Sequence, residues 1–194
     1  MAKIENLSPI VAKWEAGFVN DKTDKGGATN MGITIGTWRQ IGYDKDGDGD
    51  IDVQDIRLLD ERDFACVLKV YWNRWQANRI INQSLANLLV DWVFTSGKWG
   101  IVIPQRILKI KEDGVVGNQT LMAVNLVNQK AFFDAVFEAR RKFFNDIANS
   151  SVLKYEKEIG RKATESEKMK YTQKRFLKGW LNRLNDFKFS ETDI

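Results

Sequence analysis

Residues Asp60 to Trp75 read "DERDFACVLKVYWNRW", and in them Phe64, Val67, Leu68, Tyr71, Trp72 and Trp75 recur at steps of three and four. That spacing stacks side chains on one face of an α-helix. Asp60 stands just ahead of the run, where its carboxylate can accept hydrogen bonds from the unpaired N–H groups of a first helical turn. The stretch therefore predicts a capped helix with one apolar face. The same period continues outward in both directions. Toward the N-terminus "SPIVAKWEAGF" predicts a helix with Ser8 as N-cap, Pro9 at the first helical position, Gly17 near its end and Glu15 in its last turn. Toward the C-terminus "SLANLLVDWVF" is helical. "QKAFFDAVFEARRKFFNDIA" follows, with Phe132, Phe133, Val136, Phe137, Phe144 and Ile147 on one side. The tail "SEKMKYTQKRFLKGWLNRLNDF" predicts one more helix, with Met169, Phe176, Trp180, Leu184 and Phe187 as a single stripe. No stretch shows the alternation of a strand. The predicted fold class is mainly α.

The 194 residues are 43% apolar and 29% charged, with seven Trp and eleven Phe, a composition that favours a folded core over a disordered chain. A single cysteine, Cys66, excludes an intramolecular disulfide, and the absence of His excludes His-based zinc sites and His-dependent triads. The N-terminus lacks a basic segment followed by an apolar run, and no stretch approaches the roughly 18 apolar residues of a membrane span. We therefore expect synthesis in the cytoplasm without a signal peptide, and no membrane span. The net charge of +4 is unevenly distributed. Asp44 to Asp63 holds nine acids against three bases, and Arg161 to Lys188 holds nine bases against three acids. The basic tail fits a solvated helix face packed on the body, in contact at most with an anionic polymer, and we expect no nucleic-acid partner.

The acidic stretch contains "DKDGDGDIDVQD", Asp44 to Asp55, which follows the twelve-residue calcium loop of EF-hands. Asp44, Asp46 and Asp48 occupy positions one, three and five, with Gly49 at the sharp turn and Ile51 at the apolar eighth position. Asp50 offers its carbonyl at seven, Asp52 stands at nine and Asp55 at twelve. Carboxylates so crowded repel one another without a cation, so a structural calcium is expected. Asp instead of Glu at the last position shortens the reach. An acidic surface loop is the plain alternative.

Upstream, "KWEAGFVNDKTDKGGATNMGIT", Lys13 to Thr34, places Glu15 between Trp14 and Phe18. Asp24 comes nine residues after the acid, followed by the Gly26-Gly27 turn and the hydroxyls of Thr29 and Thr34. Cleavage of a glycosidic bond needs a carboxylic acid to protonate the leaving oxygen. On these residues alone, a helix-surface acid remains the simpler reading of Glu15.

The stretch from Glu15 to Thr34 resembles the signature of the glycoside hydrolase 108 family, E-G-G-[YF]-x-N-x-x-x-D-x-G-G-x-T-x-x-G-[IV]-[ST]. Ala16 stands where Gly is usual. Members are lysozyme-like N-acetylmuramidases, described as secretion activators or phage-type lysins. The resemblance implies a lysozyme-like helical fold with Glu15 as the catalytic acid and Asp24 and Thr34 as further catalytic candidates. Asn20, Gly27 and Thr29 would contact substrate. The Glu15 to Asp24 spacing is also similar to that of phage-type lysozymes. The resemblance continues through "VYWNRW" and into "DWVFTSGKWGIVIPQRILKIKEDGVVGNQTL". That second stretch resembles a peptidoglycan-binding region marked by a D-G-x-x-G-x-x-T turn, here Asp113, Gly114, Gly117 and Thr120.

These readings divide the chain into a muramidase region over residues 1–92, with the calcium loop inserted at 44–55, and a peptidoglycan-binding helical region over 93–194 packed on it as one body. The expected protein is a monomeric N-acetylmuramidase cleaving the β-1,4 bond between N-acetylmuramic acid and N-acetylglucosamine. It would act in the periplasm or at the cell wall, with a holin or secretion machinery as the route there. Two rivals remain: a lytic transglycosylase, and a non-catalytic calcium-dependent wall-binding module similar to dockerins, the latter weakened by the single loop.

Overall fold

The structure is a computed structural model and describes residues 1–15, 17–18, 20 and 27–192. Asp24 and Gly26 of the motif lie outside the described residues. Two compact units follow one another, Met1–Arg79 and Ile80–Ile194. Both are built mainly from helices, as the periodicity predicts.

The first unit opens with a 3-10 turn, Ile4–Asn6, that runs directly into helix α1, Ser8–Ala12. Because Leu7 between them is already helical, Ser8 is the first helical residue and makes no side-chain cap, contrary to the expected N-cap. Strands β1, Thr29–Asn30, and β2, Ile33–Thr34, form a small antiparallel hairpin. Helices α2, Ile35–Ile41, α3, Val53–Arg57, and α4, Glu61–Arg74, complete the unit with a 3-10 turn at Ala77–Arg79. Helix α4 begins in a reciprocal capping box between Asp60 and Asp63 and buries Phe64, Val67, Leu68 and Trp72, as its spacing predicts.

The second unit holds α5, Gln83–Ser96, α6, Trp99–Ile107, α7, Asn118–Leu126, α8, Gln129–Ile159, α9, Glu165–Tyr171, and α10, Lys174–Asn185. Helix α5 is buried over every residue from Gln83 to Val93, with Gln83, Ser84, Asn87 and Asp91 among largely apolar neighbours, as fits a central helix. It packs on α6 and α8. A side chain at Gly100 would strike the backbone of Trp92 and Val93, so this glycine lets α5 and α6 approach closely. Helix α8 buries Phe132, Phe133, Val136, Phe144 and Ala148 on one stripe, together with one residue that periodicity did not select, Arg140.

Arg140 donates to the fully buried Asp91 of α5 at 2.6 Å, and Arg183 of α10 donates to the other oxygen of Asp91 at 2.6 Å. Three helices thus meet on one carboxylate. Burial opposes its ionisation, but the two guanidinium groups outweigh this and hold Asp91 below the usual carboxylate range. The tail departs from expectation. Its predicted single helix breaks at Thr172, whose hydroxyl donates to the Lys168 carbonyl at 2.7 Å and closes α9. The predicted stripe breaks with it: Met169 is 48% and Phe176 39% exposed, whereas Leu184 and Phe187 are buried.

Candidate active site

Glu15 lies just beyond α1 rather than within it. The chain leaves the helix through tight bonds from Trp14 N–H to the Val11 carbonyl at 2.9 Å and from Glu15 N–H to the Ala12 carbonyl at 3.3 Å. Its half-buried carboxyl rests against the hairpin turn, directly over Gly32, where a Cβ would overlap the Glu15 carboxyl carbon and one of its oxygens. The turn is of the tight two-residue kind, with Met31 at φ 51° and Gly32 at φ 71°. Positive φ at both central positions matches the right-handed twist of the flanking strands.

The hairpin register pairs Thr29 with Thr34 and Asn30 with Ile33. Alternation then sorts the residues. Asn30 and Ile33 face inward, where Asn30 Nδ2 donates to the Ile56 carbonyl at 2.8 Å and ties the hairpin to α3. Thr29 and Thr34 occupy the half-buried face. Each hydroxyl also has a local task. Thr29 donates to the Gly27 carbonyl at 3.3 Å, and Thr34 caps α2 by accepting from Thr37 N–H at 3.1 Å. Gly27 takes φ +70°, with the Ile35 side chain 3.1 Å from where a Cβ would stand. Asn20 is exposed. The aromatic flanks of Glu15 carry cations: Lys13 Nζ lies 5.3 Å from the Trp14 ring, and the Arg57 guanidinium lies 4.5 Å from the Phe18 ring. The spacing of the motif points to Glu15, Gly27, Thr29, Gly32 and Thr34. It gives no sign of Asn30 or Arg57, whose partners are distant in sequence.

The acidic loop forms two groups of three, Asp44 with Asp46 and Asp48, and Asp50 with Asp52 and Asp55. Within each group the oxygens lie within 4.8 Å of one another. Asp44 accepts from Gly47 N–H at 2.6 Å and Gly49 N–H at 2.8 Å, curling the loop around it. Asp55 is buried. Burial opposes its ionisation, but the backbone N–H groups of Asp52, Lys45, Asp46 and Asp55 outweigh this and hold it below the usual range. Asp50 is pushed up, chiefly by the charge of Asp48, and Asp46 by desolvation and then by Asp48, Asp55 and Asp44. Asp52 and Asp55 also make the capping box of α3, so the loop is built into the helix that Asn30 grips.

In the second unit the D-G-x-x-G-x-x-T turn is organised by Gln105 of α6, buried and not singled out by the motif. Its side chain accepts from Gly114 N–H at 2.9 Å and donates to Asp113 at 3.0 Å and to the Val115 carbonyl at 3.0 Å. The polar groups of this motif are used to hold the turn.

An acid set at a hairpin turn beside two hydroxyls is compatible with glycosidic cleavage, which needs a carboxylic acid at the leaving oxygen, and the class of protein that the sequence match supports is a glycoside hydrolase. Residues 8–97 match the family model described as Glycosyl hydrolase 108, and residues 99–185 match the Predicted Peptidoglycan domain. The chain thus carries a region that matches the glycosyl hydrolase 108 family, followed in sequence by one that matches a predicted peptidoglycan domain. It is similar to a solved structure described as SagA of Brucella abortus, with a TM-score of 0.68 and 21% identity over 94% of this chain and 90% of that one. Among curated proteins, none matches the chain. No helix among the described residues is long and apolar enough to cross a membrane.

Proposed function

We propose that the protein is an N-acetylmuramidase that hydrolyses the β-1,4 bond between N-acetylmuramic acid and N-acetylglucosamine in peptidoglycan, with Glu15 as general acid. The observation that carries the reading is the seat of the Glu15 carboxyl on Gly32, inside the region that matches the hydrolase family. The predicted peptidoglycan domain supports the substrate class. Glu15 would pass its proton to the glycosidic oxygen as the bond to the anomeric carbon breaks. A water then adds to that carbon, and its proton leaves to a carboxylate. Asp24 is our candidate for that carboxylate. Thr29 and Thr34, facing one side of the hairpin, would hold sugar or water, with Asn20 and Gly27 bordering them.

The test is digestion of purified peptidoglycan followed by mass spectrometry of the soluble muropeptides. New reducing ends at N-acetylmuramic acid support the proposal. Anhydro ends would make the enzyme a lytic transglycosylase, and ends at N-acetylglucosamine would assign a different bond. Glu15→Gln should lower release by about 10²–10⁴-fold, and a variant keeping a tenth of the activity would remove Glu15 from the role.

We further propose that the Asp44 to Asp55 loop takes one calcium ion as a structural element. Support comes from the two carboxylate triplets and from the charge of Asp48, which chiefly pushes Asp50 up and, after desolvation, adds to the rise of Asp46. Hard carboxylate and carbonyl oxygens suit this cation. It would order the loop leading into α3, and the chemistry at Glu15 would not call on it.

A further inference from the structure

The hydrolase reading leaves open which surface of the second unit meets the wall polymer. The motif turn at Asp113 to Thr120 is a poor candidate, because Gln105 already engages its polar groups. A better one lies between α6 and α8. There an open groove of about 360 Å³ has Trp99 and Ile103 on one wall and Ala139 and Phe143 on the other. The volume falls at the lower end of the roughly 300–1,000 Å³ range of small-ligand sites.

Trp99 is 43% exposed, although its large apolar ring would ordinarily be covered. It is nevertheless fixed. Its ring lies 6.5 Å from that of Phe143, which in turn meets Trp92 of α5 edge-on at 6.0 Å. A ring anchored to the core and open to solvent is a preorganised platform, with little conformational entropy left to lose on binding. The rim is polar. Lys142 and Asp146 form an ion pair at 2.5 Å there, which offers donors and an acceptor at one point. Lys98 Nζ stands 5.4 Å from the Trp99 ring, and no ion pair of Lys98 is found among the described residues.

We propose that this groove is a saccharide subsite in which Trp99 stacks on the C–H face of one N-acetylated hexosamine of a glycan strand. Lys142 and Asp146 would bond its hydroxyl and acetamido groups, and Lys98 would face the carboxylates that peptidoglycan carries. The occupant follows from the pairing of an aromatic platform with a mixed polar rim of Arg106, Lys142 and Asp146, and from Lys98, which has no ion pair among the described residues. Both walls lie within the region that matches the peptidoglycan domain. The proposal rests on the reading of that region as wall-binding.

The test is binding of the full chain to insoluble purified sacculi, in a Glu15→Gln background so that the sacculi persist. Trp99→Ala and Ala139→Phe, the second filling the groove from its opposite wall, should each raise the half-saturating concentration about tenfold or more, with unchanged melting curves. Trp99→Phe should restore part of the binding. Wild-type binding by both disruptive variants overturns the groove and leaves the wall-binding reading standing. Failure of the unmutated chain to bind overturns the reading and the proposal with it. Should either variant melt early, titration of the unmutated chain with soluble muropeptides decides. The Trp99 indole N–H resonance, assigned with Trp99→Phe, is expected to shift, and a resonance that stays put overturns the proposal.

Discussion

Gly32 does two things at once: it takes φ +71° in the hairpin turn, and it leaves the volume that the Glu15 carboxyl fills. The two effects are separable. Gly160 at the end of α8 has nearly the same backbone, φ +70°, with nothing within 4 Å of a built Cβ. Alanine at either position incurs the left-handed backbone penalty of about 1–2 kcal/mol. Only Gly32→Ala also displaces the acid, and a displacement of about 1 Å can cost around 10²-fold in rate. We therefore expect similar losses of melting temperature in both variants but a fall in kcat in Gly32→Ala alone. Equal kcat in the two would mean that the Glu15 seat is not used in catalysis. The motif spacing shows Glu15 and Gly32 as members of a pattern without showing that one makes room for the other. That relation needs a turn to bring position 32 back against position 15. The bond from Asn30 to the Ile56 carbonyl spans 26 residues and has no periodic signature at all.

Helices announce themselves by repetition, which is why α4, α5 and α8 were readable and the hairpin was not: strands of two residues each cannot display a period of two. The tail stripe failed for a related reason. Periodicity was counted through Thr172, where the hydroxyl takes the helix's own carbonyl and the phase restarts. The helices of the second unit meet on a charge that hydropathy cannot see. Asp91, held below the usual range, contributes stability that is complete above the unfolded carboxylate pKa of about 3.9 and drains away as pH falls through the folded value. Acid should therefore loosen α5, α8 and α10 together, read as coincident loss of amide protection in the three. Asp91→Ala would leave Arg140 and Arg183 without their counter-charge and should cost about 3–5 kcal/mol in chemical denaturation. A loss under 1 kcal/mol would show that the three-way bridge is incidental. The acidic loop behaves in the opposite sense. Asp46 and Asp50 are pushed up, so ionising them opposes the folded loop as pH rises through their range unless a cation intervenes. Calcium added to chelator-stripped protein should raise the melting temperature, by about 2.7 kcal/mol of stability at a hundredfold excess over Kd, and bind more weakly as pH falls. An unchanged melt with and without calcium would leave the loop an acidic turn.

The second unit draws its ends together. Arg183 reaches Asp91 from 92 residues away, and Asn82 and Ser84 bond the backbone of Ser190 across 108 and 106 residues. Cutting the chain after Ser150 would remove Arg183, Leu184 and Phe187 and the end of α8 at one stroke. We expect a protein that binds hydrophobic dyes and melts without a sharp transition in that unit, whereas a soluble, cooperatively melting truncation would make the tail an appendage. The same closure has a consequence for the order of synthesis. The first unit is complete in sequence by Arg79, but α5, buried on every side, emerges before α8, which covers part of it, and 92 residues before Arg183, which completes the pairing of Asp91. Until then the nascent protein carries an incompletely covered helix with a half-matched charge, a state prone to wrong association. Pauses in translation beyond Ser96, or depletion of chaperones that bind exposed apolar helices, should lower the yield of folded protein more than substitutions anywhere in the first unit's surface.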